Sequence, residues 1–173
     1  MIHVCSLSAL ERVVAETGAR HVITLLNPED AKPTPQGVDP ANHLRIGIND
    51  VARPMFDCIE PQRQHIDDIL TFADGWDRQS PLVVHCWAGI SRSTATALTI
   101  LCSLSGGRDV EAHAKALRKA APHASPNPLL IQHADEALEL EGRLTTAVKN
   151  LTPAALMMEG PPFCLPLPDP LQA

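Results

Sequence analysis

Short apolar segments alternate with segments of helical periodicity along most of the chain. Runs rich in β-branched and apolar residues predict four strands, at residues 2–5, 21–26, 43–48 and 81–85. Apolar residues at helical spacing predict helices at residues 10–17, 61–72, 91–104 and 109–119, and one long helix from 127 to about 149. This order predicts an α/β fold with a central, mostly parallel sheet, helices on both faces and a helix-rich C-terminal half.

Two further stretches define the predicted organisation. The helix at 91–104 is apolar nearly all round, which is typical of a helix buried at the centre of a domain. Residues 1–150 are therefore expected to form one domain. Residues 151–173 hold six prolines and no lysine or arginine, and we expect an irregular Pro-rich tail, packed on the domain through Phe163 or Leu165.

Composition and charge exclude several classes of function. The formal net charge of -6 argues against a nucleic-acid binder, which normally carries a basic face. No apolar run reaches the ~18 residues of a membrane span, and the chain does not open with a basic and then apolar secretion signal. The five cysteines are scattered and odd in number, which fits neither a disulfide framework nor a metal site. We expect a cytoplasmic protein without metal or cofactor.

The segment from His85 to Ser93 combines the features that a phosphate site needs. A predicted strand delivers Cys86 to the carboxyl end of the sheet, where ligands bind in open α/β folds. The following helix would offer unpaired backbone N–H groups, and Gly89 would let several of them converge on one anion. Arg92 follows the cysteine by six residues and supplies a planar, two-pronged donor for phosphoryl oxygens. The predicted phosphate-binding residues are Trp87, Ala88, Gly89, Ile90, Ser91 and Arg92.

The same positive environment favours the thiolate form of Cys86, and the thiolate is the nucleophile. The hydroxyl of Ser93 can point back to the sulfur, steady the thiolate and help it depart. His85 is expected to orient the loop through hydrogen bonds to backbone groups rather than to transfer protons. Cys5, Cys58 and Cys102 are expected to be core residues, although one of them could protect Cys86 as a disulfide.

The sequence His-Cys-X5-Arg-Ser, with Ala-Gly-X-Ser inside the loop, resembles the signature of cysteine-dependent protein tyrosine phosphatases. The likeness is to their dual-specificity-like branch. It implies a phosphatase-like fold and hydrolysis of phosphomonoesters through a phosphocysteine intermediate, without a metal ion. By position, Cys86 would be the nucleophile and Arg92 the phosphate clamp.

The resemblance also implies a general acid and a supporting asparagine. The family's acid is an aspartate that follows a strand a few tens of residues before the cysteine, and Asp50 fits that place. Asp57 is the runner-up, because Asp67 and Asp68 lie within a predicted helix. Asn127, in the segment Ser-Pro-Asn, would brace the phosphate loop, cap the following helix, or do both.

Three functions remain open at this point. The first is a phosphatase of phosphoproteins, most naturally of phosphotyrosine. The second is a phosphoinositide or inositol phosphate phosphatase, which is less favoured because the loop contains no lysine. The third is a phosphate-binding module without turnover, although the cysteine, the arginine and an acid are all present. The chain has no tyrosine, so an aromatic wall around a phosphotyrosyl ring would have to come from Trp87, Phe56, Trp76 or aliphatic residues.

Overall fold

One mixed sheet organises the protein in a computed structural model, which describes residues 1–168. Its strands are β1 (Ile2–Ser6), β2 (His21–Leu26), β3 (His43–Gly47), β4 (Leu82–Cys86) and β5 (Phe163–Leu165). The strand order is β3-β2-β4-β1-β5, and every pair is parallel except β1 with β5. All five residues of the central β4 are buried, as expected for a strand covered on both faces.

Helices cover the two faces of the sheet unequally. They are α1 (Leu10–Thr17), α2 (Arg63–Gly75), α3 (Arg92–Leu104), α4 (Val110–Ala120), α5 (Pro128–Ala137) and α6 (Arg143–Lys149). On one face, α1 packs Leu10, Val13 and Val14 against Val22 and Val83. The other helices contribute to the larger core on the opposite face, where α3 is buried from its first residue through Cys102. The predicted α/β fold, with its buried central helix and helix-rich C-terminal half, is confirmed.

The prediction of one helix over 127–149 is wrong. The chain leaves α5 at Ala137 and begins α6 only at Arg143. A buried carboxylate fixes this corner, because Asp135 accepts hydrogen bonds from the N–H groups of Gly142 (2.7 Å) and Thr145 (2.6 Å). Buried Leu140 continues the apolar periodicity across the corner, which is why the pattern concealed the break.

The start of α2 also differs from the prediction. Pro61 precedes the helix, and Gln62 is the N-cap residue. Gln62 and His65 form a reciprocal capping box, in which the His65 ring accepts the N–H of Gln62 at 3.0 Å. Glutamate or glutamine is the usual partner in this motif, so the sequence pattern did not indicate a capping box with histidine.

The tail is not irregular throughout. Residues 163–165 form β5, which extends the sheet beyond β1 in antiparallel orientation. Leu165 is fully buried in the main core, so the tail packs on the domain through this residue as expected. The end of the predicted tail, including Pro170, lies outside the described residues, and the division of the chain at residue 150 stays a prediction.

Candidate active site

Cys86 lies at the carboxyl end of the sheet, directly before the loop of residues 87–91 that connects β4 to α3. We call residues 87–91 the phosphate loop. Cys86 is the last residue of β4, pairs with Ser6 of β1 and is only 1% exposed. Its Sγ lies 3.1 Å from Oγ of Ser93, in the first turn of α3. The strand and the buried helix therefore place the thiol and the hydroxyl in contact, although they are seven residues apart.

Four N–H groups, from three separate segments of the chain, hold the carbonyl groups of this loop from outside. The pairs of N–H donor and carbonyl acceptor are Leu7 and Trp87 (3.1 Å), Gly160 and Ala88 (2.8 Å), Ser125 and Ile90 (2.9 Å), and Asn127 and Ser91 (3.3 Å). In a trans peptide group, the C=O and the N–H of the following residue point in opposite directions. Within residues 1–168, the N–H groups of residues 87–92 donate no hydrogen bond. They are free to bind an anion.

Gly89 is required by its surroundings. Its φ of +70° lies in the left-handed region, and a Cβ here would approach the backbone of Cys5 and Ser6 to 2.8 Å. Neighbouring backbone cannot yield as a flexible side chain can. Any other residue at this position would push the loop off the end of β1.

Arg92 is anchored along one edge of its guanidinium group. The side chain is almost fully buried, and its Nη1 donates to the carbonyl of Ile48 (2.7 Å) and to Oδ1 of Asn27 (3.1 Å). Within the described part of the chain, its Nε has no hydrogen-bond partner. A buried charged donor without a partner is costly, so this Nε is suited to bind a phosphoryl oxygen.

Asn27 is a contributor that the sequence analysis missed. It follows β2 directly, where only the dipeptide Asn-Pro marked the end of a strand. Its side chain donates to Asp30 (3.1 Å) while accepting from Arg92, so it links the loop after β2 to the guanidinium group. Its position at the carboxyl end of a parallel strand was the available signal.

The structure places Asp50, and not Asp57, beside the phosphate loop. Asp50 Oδ1 accepts hydrogen bonds from Ser91 Oγ (2.7 Å) and from Asn127 Nδ2 (2.9 Å). Its Oδ2 lies 3.8 Å from Nε of Arg92, and about a third of the side chain (37%) is exposed. Asp57 is exposed at a turn with φ of +57° and does not line the adjoining cavity.

Asn127 supports the loop that carries Asp50 more than the phosphate loop. Its Oδ1 caps α5 by accepting the N–H groups of Leu129 and Leu130. Its Nδ2 donates to Asp50 and to the carbonyl of Val51 (3.0 Å). Only its backbone N–H reaches the phosphate loop, so the side-chain bonds to that loop implied by the resemblance are absent among the described residues.

His85 belongs to a buried network that crosses the sheet. Its Nε2 lies 2.7 Å from Oγ1 of Thr24, which lies 2.7 Å from Nε2 of His43. A hydroxyl has one proton, so Thr24 donates to one imidazole and accepts from the other. Burial lowers the pKa of both histidines to about 4, with Arg45 adding to the effect at His43. Both rings are neutral at pH 7, and Nε2 of His85 forms its hydrogen bond with Thr24 of β2.

A cavity of about 490 Å³ adjoins the loop. Its lining residues are Asn27, Asp30, Asn49, Asp50, Val51, Cys58, Trp87, Ala88 and Arg92. Trp87 is 56% exposed at the rim, and Phe56 is 93% exposed on the segment that follows Asp50. Trp76 was wrongly considered for an aromatic wall, because it is buried in the core and its Nε1 donates to the carbonyl of Ser80.

The other cysteines differ in their surroundings. Cys5 and Cys102 are core residues as predicted, and burial raises the pKa of each thiol to about 12. Cys5 packs with α1, on the face of the sheet opposite to the core that contains Cys86. Cys58 is partly exposed and lines the cavity, so the prediction of a core position is wrong for it.

Residues 1–168 contain neither a metal-binding cluster nor a helix able to span a membrane. These residues contain no cluster of three or more histidine, cysteine or carboxylate side chains placed to hold a metal ion. Among the helices α1–α6, none has the length and apolar character required to cross a membrane.

Comparison with known proteins gives one family match. A family model described as "Tc-R-P: Polymorphic toxin system, DSP-PTPase phosphatase" matches residues 8–106, more than half of the chain. The matched region contains Asp50, Cys86 and Arg92 but neither Asn127 nor Gly160. No curated protein matches the sequence significantly.

Solved structures share the fold at low sequence identity. The crystal structure of human DUSP28 is 20% identical over 80% of this chain and 91% of its own, with a TM-score of 0.61. DUSP15 is 20% identical over 87% and 92%, with a TM-score of 0.59. PTPMT1, crystallised in complex with PI(5)P, is 20% identical over 83% and 94%, with a TM-score of 0.61. These likenesses extend well beyond the region that the family model matches.

Proposed function

The chain belongs to the DSP-PTPase phosphatases of polymorphic toxin systems, and we propose that it hydrolyses phosphomonoesters through a phosphocysteine intermediate on Cys86. It is a cysteine-based phosphatase of the protein tyrosine phosphatase type. The observation that carries the proposed chemistry is the set of unpaired donors in the segment that directly follows Cys86. These donors are the N–H groups of residues 87–92 and Nε of Arg92.

In the first step, Sγ of Cys86 attacks phosphorus, the S–P bond forms and the bond from phosphorus to the leaving oxygen breaks. Arg92 and the loop N–H groups bind the non-bridging oxygens, where negative charge is concentrated. Asp50, in its protonated form, gives its proton to the leaving oxygen. Its contacts with Ser91 and Asn127 hold the carboxyl group over the loop for this transfer.

In the second step, water attacks the phosphocysteine while Asp50 accepts a proton from the water. The O–P bond forms, the S–P bond breaks and inorganic phosphate leaves. The hydroxyl of Ser93, 3.1 Å from the sulfur, donates a hydrogen bond to the departing thiolate. Asp50 ends the cycle protonated and Cys86 ends it as thiolate, so the enzyme is ready for another turnover.

Hydrolysis of para-nitrophenyl phosphate, with and without EDTA, tests the proposal. We expect turnover that EDTA does not reduce, no turnover in Cys86→Ser, and full turnover in the matched variant Cys164→Ser. Asp50→Asn should lower kcat on the order of 100-fold and remove the basic limb of the pH profile. Unchanged hydrolysis by Cys86→Ser would refute the mechanism, and phosphate binding without turnover in the wild type would favour a binding module.

We further propose a phosphoprotein as the substrate, with one phosphate group in the site. Arg92 is the only cation that lines the cavity within residues 1–168, and Asp30 and Asp50 lie beside it. This charge disfavours polyphosphorylated inositols, although PTPMT1 of the same fold was crystallised with PI(5)P. A panel of phosphopeptides and phosphoinositides checks this, and faster hydrolysis of the phosphoinositides would contradict it.

The site also fits a reducing compartment, and we propose the cytoplasm. All five cysteines are free thiols, and Cys86 must stay reduced to act as the nucleophile. Localisation of a tagged, full-length chain by microscopy or fractionation checks this proposal.

A further inference from the structure

The chain returns to the phosphate loop after α6. The N–H of Ala155 donates to the carbonyl of Pro122 (2.9 Å), and residues 163–165 pair with β1 as β5. Between these two attachments, Gly160 is buried against the outer side of the phosphate loop. We call residues 159–165 the C-terminal strap.

Gly160 fits its position closely. Its N–H donates to the carbonyl of Ala88 at 2.8 Å. A Cβ on Gly160 would lie 2.3 Å from Nε2 of His123 and 3.2 Å from the carbonyl oxygen of Gly89. The His123 ring cannot move away freely, because it is buried and packs edge-to-face on Phe163 of β5 at a centroid distance of 5.7 Å.

Glu159 contacts residues 6–8, the N-terminal segment that borders the phosphate loop. Its carboxylate accepts hydrogen bonds from Ser6 (2.7 Å) and from Ser8. These bonds lower the pKa of Glu159, so the group is ionised at neutral pH. Leu7, between the two serines, donates its N–H to the carbonyl of Trp87. Glu159 thus fixes the segment that orients the first peptide of the loop.

We propose that Glu159 and Gly160, at the start of the C-terminal strap, are positioning residues for the phosphate loop. Two of the four hydrogen bonds accepted by the loop carbonyls depend on the strap. Gly160 donates directly to Ala88, and Glu159 fixes Leu7, which donates to Trp87. Without these two bonds, the peptide groups that contain the carbonyls of Trp87 and Ala88 can rotate. The carbonyl oxygen would then face the cavity and repel the phosphate, and the N–H of the same peptide could no longer bind it. This inference rests on the proposed function.

Gly160→Ala tests the direct contact. We expect the inhibition constant of inorganic phosphate and KM for para-nitrophenyl phosphate to rise about tenfold, as for the loss of one charge-assisted hydrogen bond. The double variant Gly160→Ala/His123→Ala should recover part of this loss relative to His123→Ala alone, because the clash is removed. A thermal melt reports folding for each variant.

Glu159→Ala tests the second contact without a clash, and exposed Met158→Ala is the matched control in the same segment. We expect weaker phosphate binding in Glu159→Ala, near wild-type binding in Glu159→Gln and no change in Met158→Ala. Wild-type phosphate inhibition in both Glu159→Ala and folded Gly160→Ala would overturn the inference.

A readout that needs no turnover separates this inference from the proposed function. We expect iodoacetamide to alkylate Cys86 and bound phosphate to protect it, with mass spectrometry separating this site from Cys58. If the wild type lacks turnover, the proposed function fails, and loss of protection in the strap variants would still support the inference. If the wild type turns over and the strap variants are equally protected, the inference alone fails.

Discussion

At the scale of single residues, the orientation of Arg92 depends on a partner outside the signature motif. Asn27 and the carbonyl of Ile48 both accept from Nη1, which leaves Nε facing Asp50 and the cavity. The carbonyl of Ile48 belongs to the backbone. Within residues 1–168, Asn27 is therefore the only side chain that accepts a hydrogen bond from Nη1 and so orients the guanidinium group. An amide suits the position because it accepts a hydrogen bond without adding negative charge near an incoming phosphate dianion.

Substitutions at Asn27 should separate these two properties. Asn27→Ala removes the acceptor, and we expect KM for para-nitrophenyl phosphate to rise several-fold, as for one lost hydrogen bond of about 1 kcal/mol. Asn27→Asp keeps the acceptor but adds charge, and we expect a larger rise, of about tenfold or more, that high salt reduces. Steady-state kinetics at low and high ionic strength measure both effects. A smaller effect in Asn27→Asp than in Asn27→Ala would contradict this explanation.

At the scale of elements, three parallel strands are joined by the network of His85, Thr24 and His43. Its two imidazoles are neutral because burial depresses their pKa to about 4 from an ordinary value near 6.5. In the unfolded chain they bind protons below about pH 6.5, whereas in the folded state they do so only near pH 4. The contribution of the neutral rings to the folding stability is therefore fully present above about pH 6.5 and is lost as the pH falls through about 4.

Thermal melts between pH 7.5 and 4.5 test this dependence. We expect the Tm of the wild type to fall over this range, and to fall less steeply in His43→Gln, which removes one of the two titrating rings. The variant's own Tm at pH 7.5 is the reference, so that a general loss of stability does not affect the comparison. An equal slope in both proteins would show that the network does not cause the acid sensitivity.

The corner between α5 and α6 gives a second prediction at this scale. Asp135→Ala removes the acceptor from the N–H groups of Gly142 and Thr145 at a partly buried corner. The cost should be about 2 kcal/mol of unfolding free energy, or a Tm lower by roughly 4–8 °C. Glu136→Ala, at the neighbouring exposed position, should change stability by less than about 0.5 kcal/mol. Urea denaturation of both variants measures the difference.

These elements also show what sequence patterns can predict. The four parallel strands and the buried helix α3 were predictable because burial on both faces leaves an apolar run that local reading detects. The corner at Asp135 and the strand β5 were not, since each depends on a partner that periodicity does not encode. For Asp135 the partners are nearby backbone N–H groups, and for β5 the partner is β1, at the other end of the chain.

The same distinction applies to the candidate site. Features within one contiguous segment were predictable, and contacts from distant segments were not. Residues 85–93 were predictable as a phosphate loop because strand, loop and helix are contiguous. The position of Asp50 after β3 was predictable from the resemblance. The contributions of Asn27, Leu7 and Gly160 were not, since their contacts are backbone bonds or single side-chain bonds from distant segments. The polymorphic toxin context comes from the family match alone.

At the scale of the whole molecule, the phosphate loop is held by segments that lie far apart along the chain. Leu7 comes from the N-terminal region, Ser125 and Asn127 precede α5, and Gly160 lies near the C-terminus. All four donors reach one short loop. The carbonyl groups of the loop are all restrained only when these three segments are in place together.

This assembly sets an order in time. During synthesis the ribosome releases Cys86 and Arg92 well before Gly160, and domains fold as their sequence emerges. A nascent chain that ends before the strap would have the complete signature motif, but the carbonyls of Trp87 and Ala88 would still be unrestrained. Phosphate binding by the nascent chain should therefore be weaker until residues 159–165 have left the ribosome and contacted the loop.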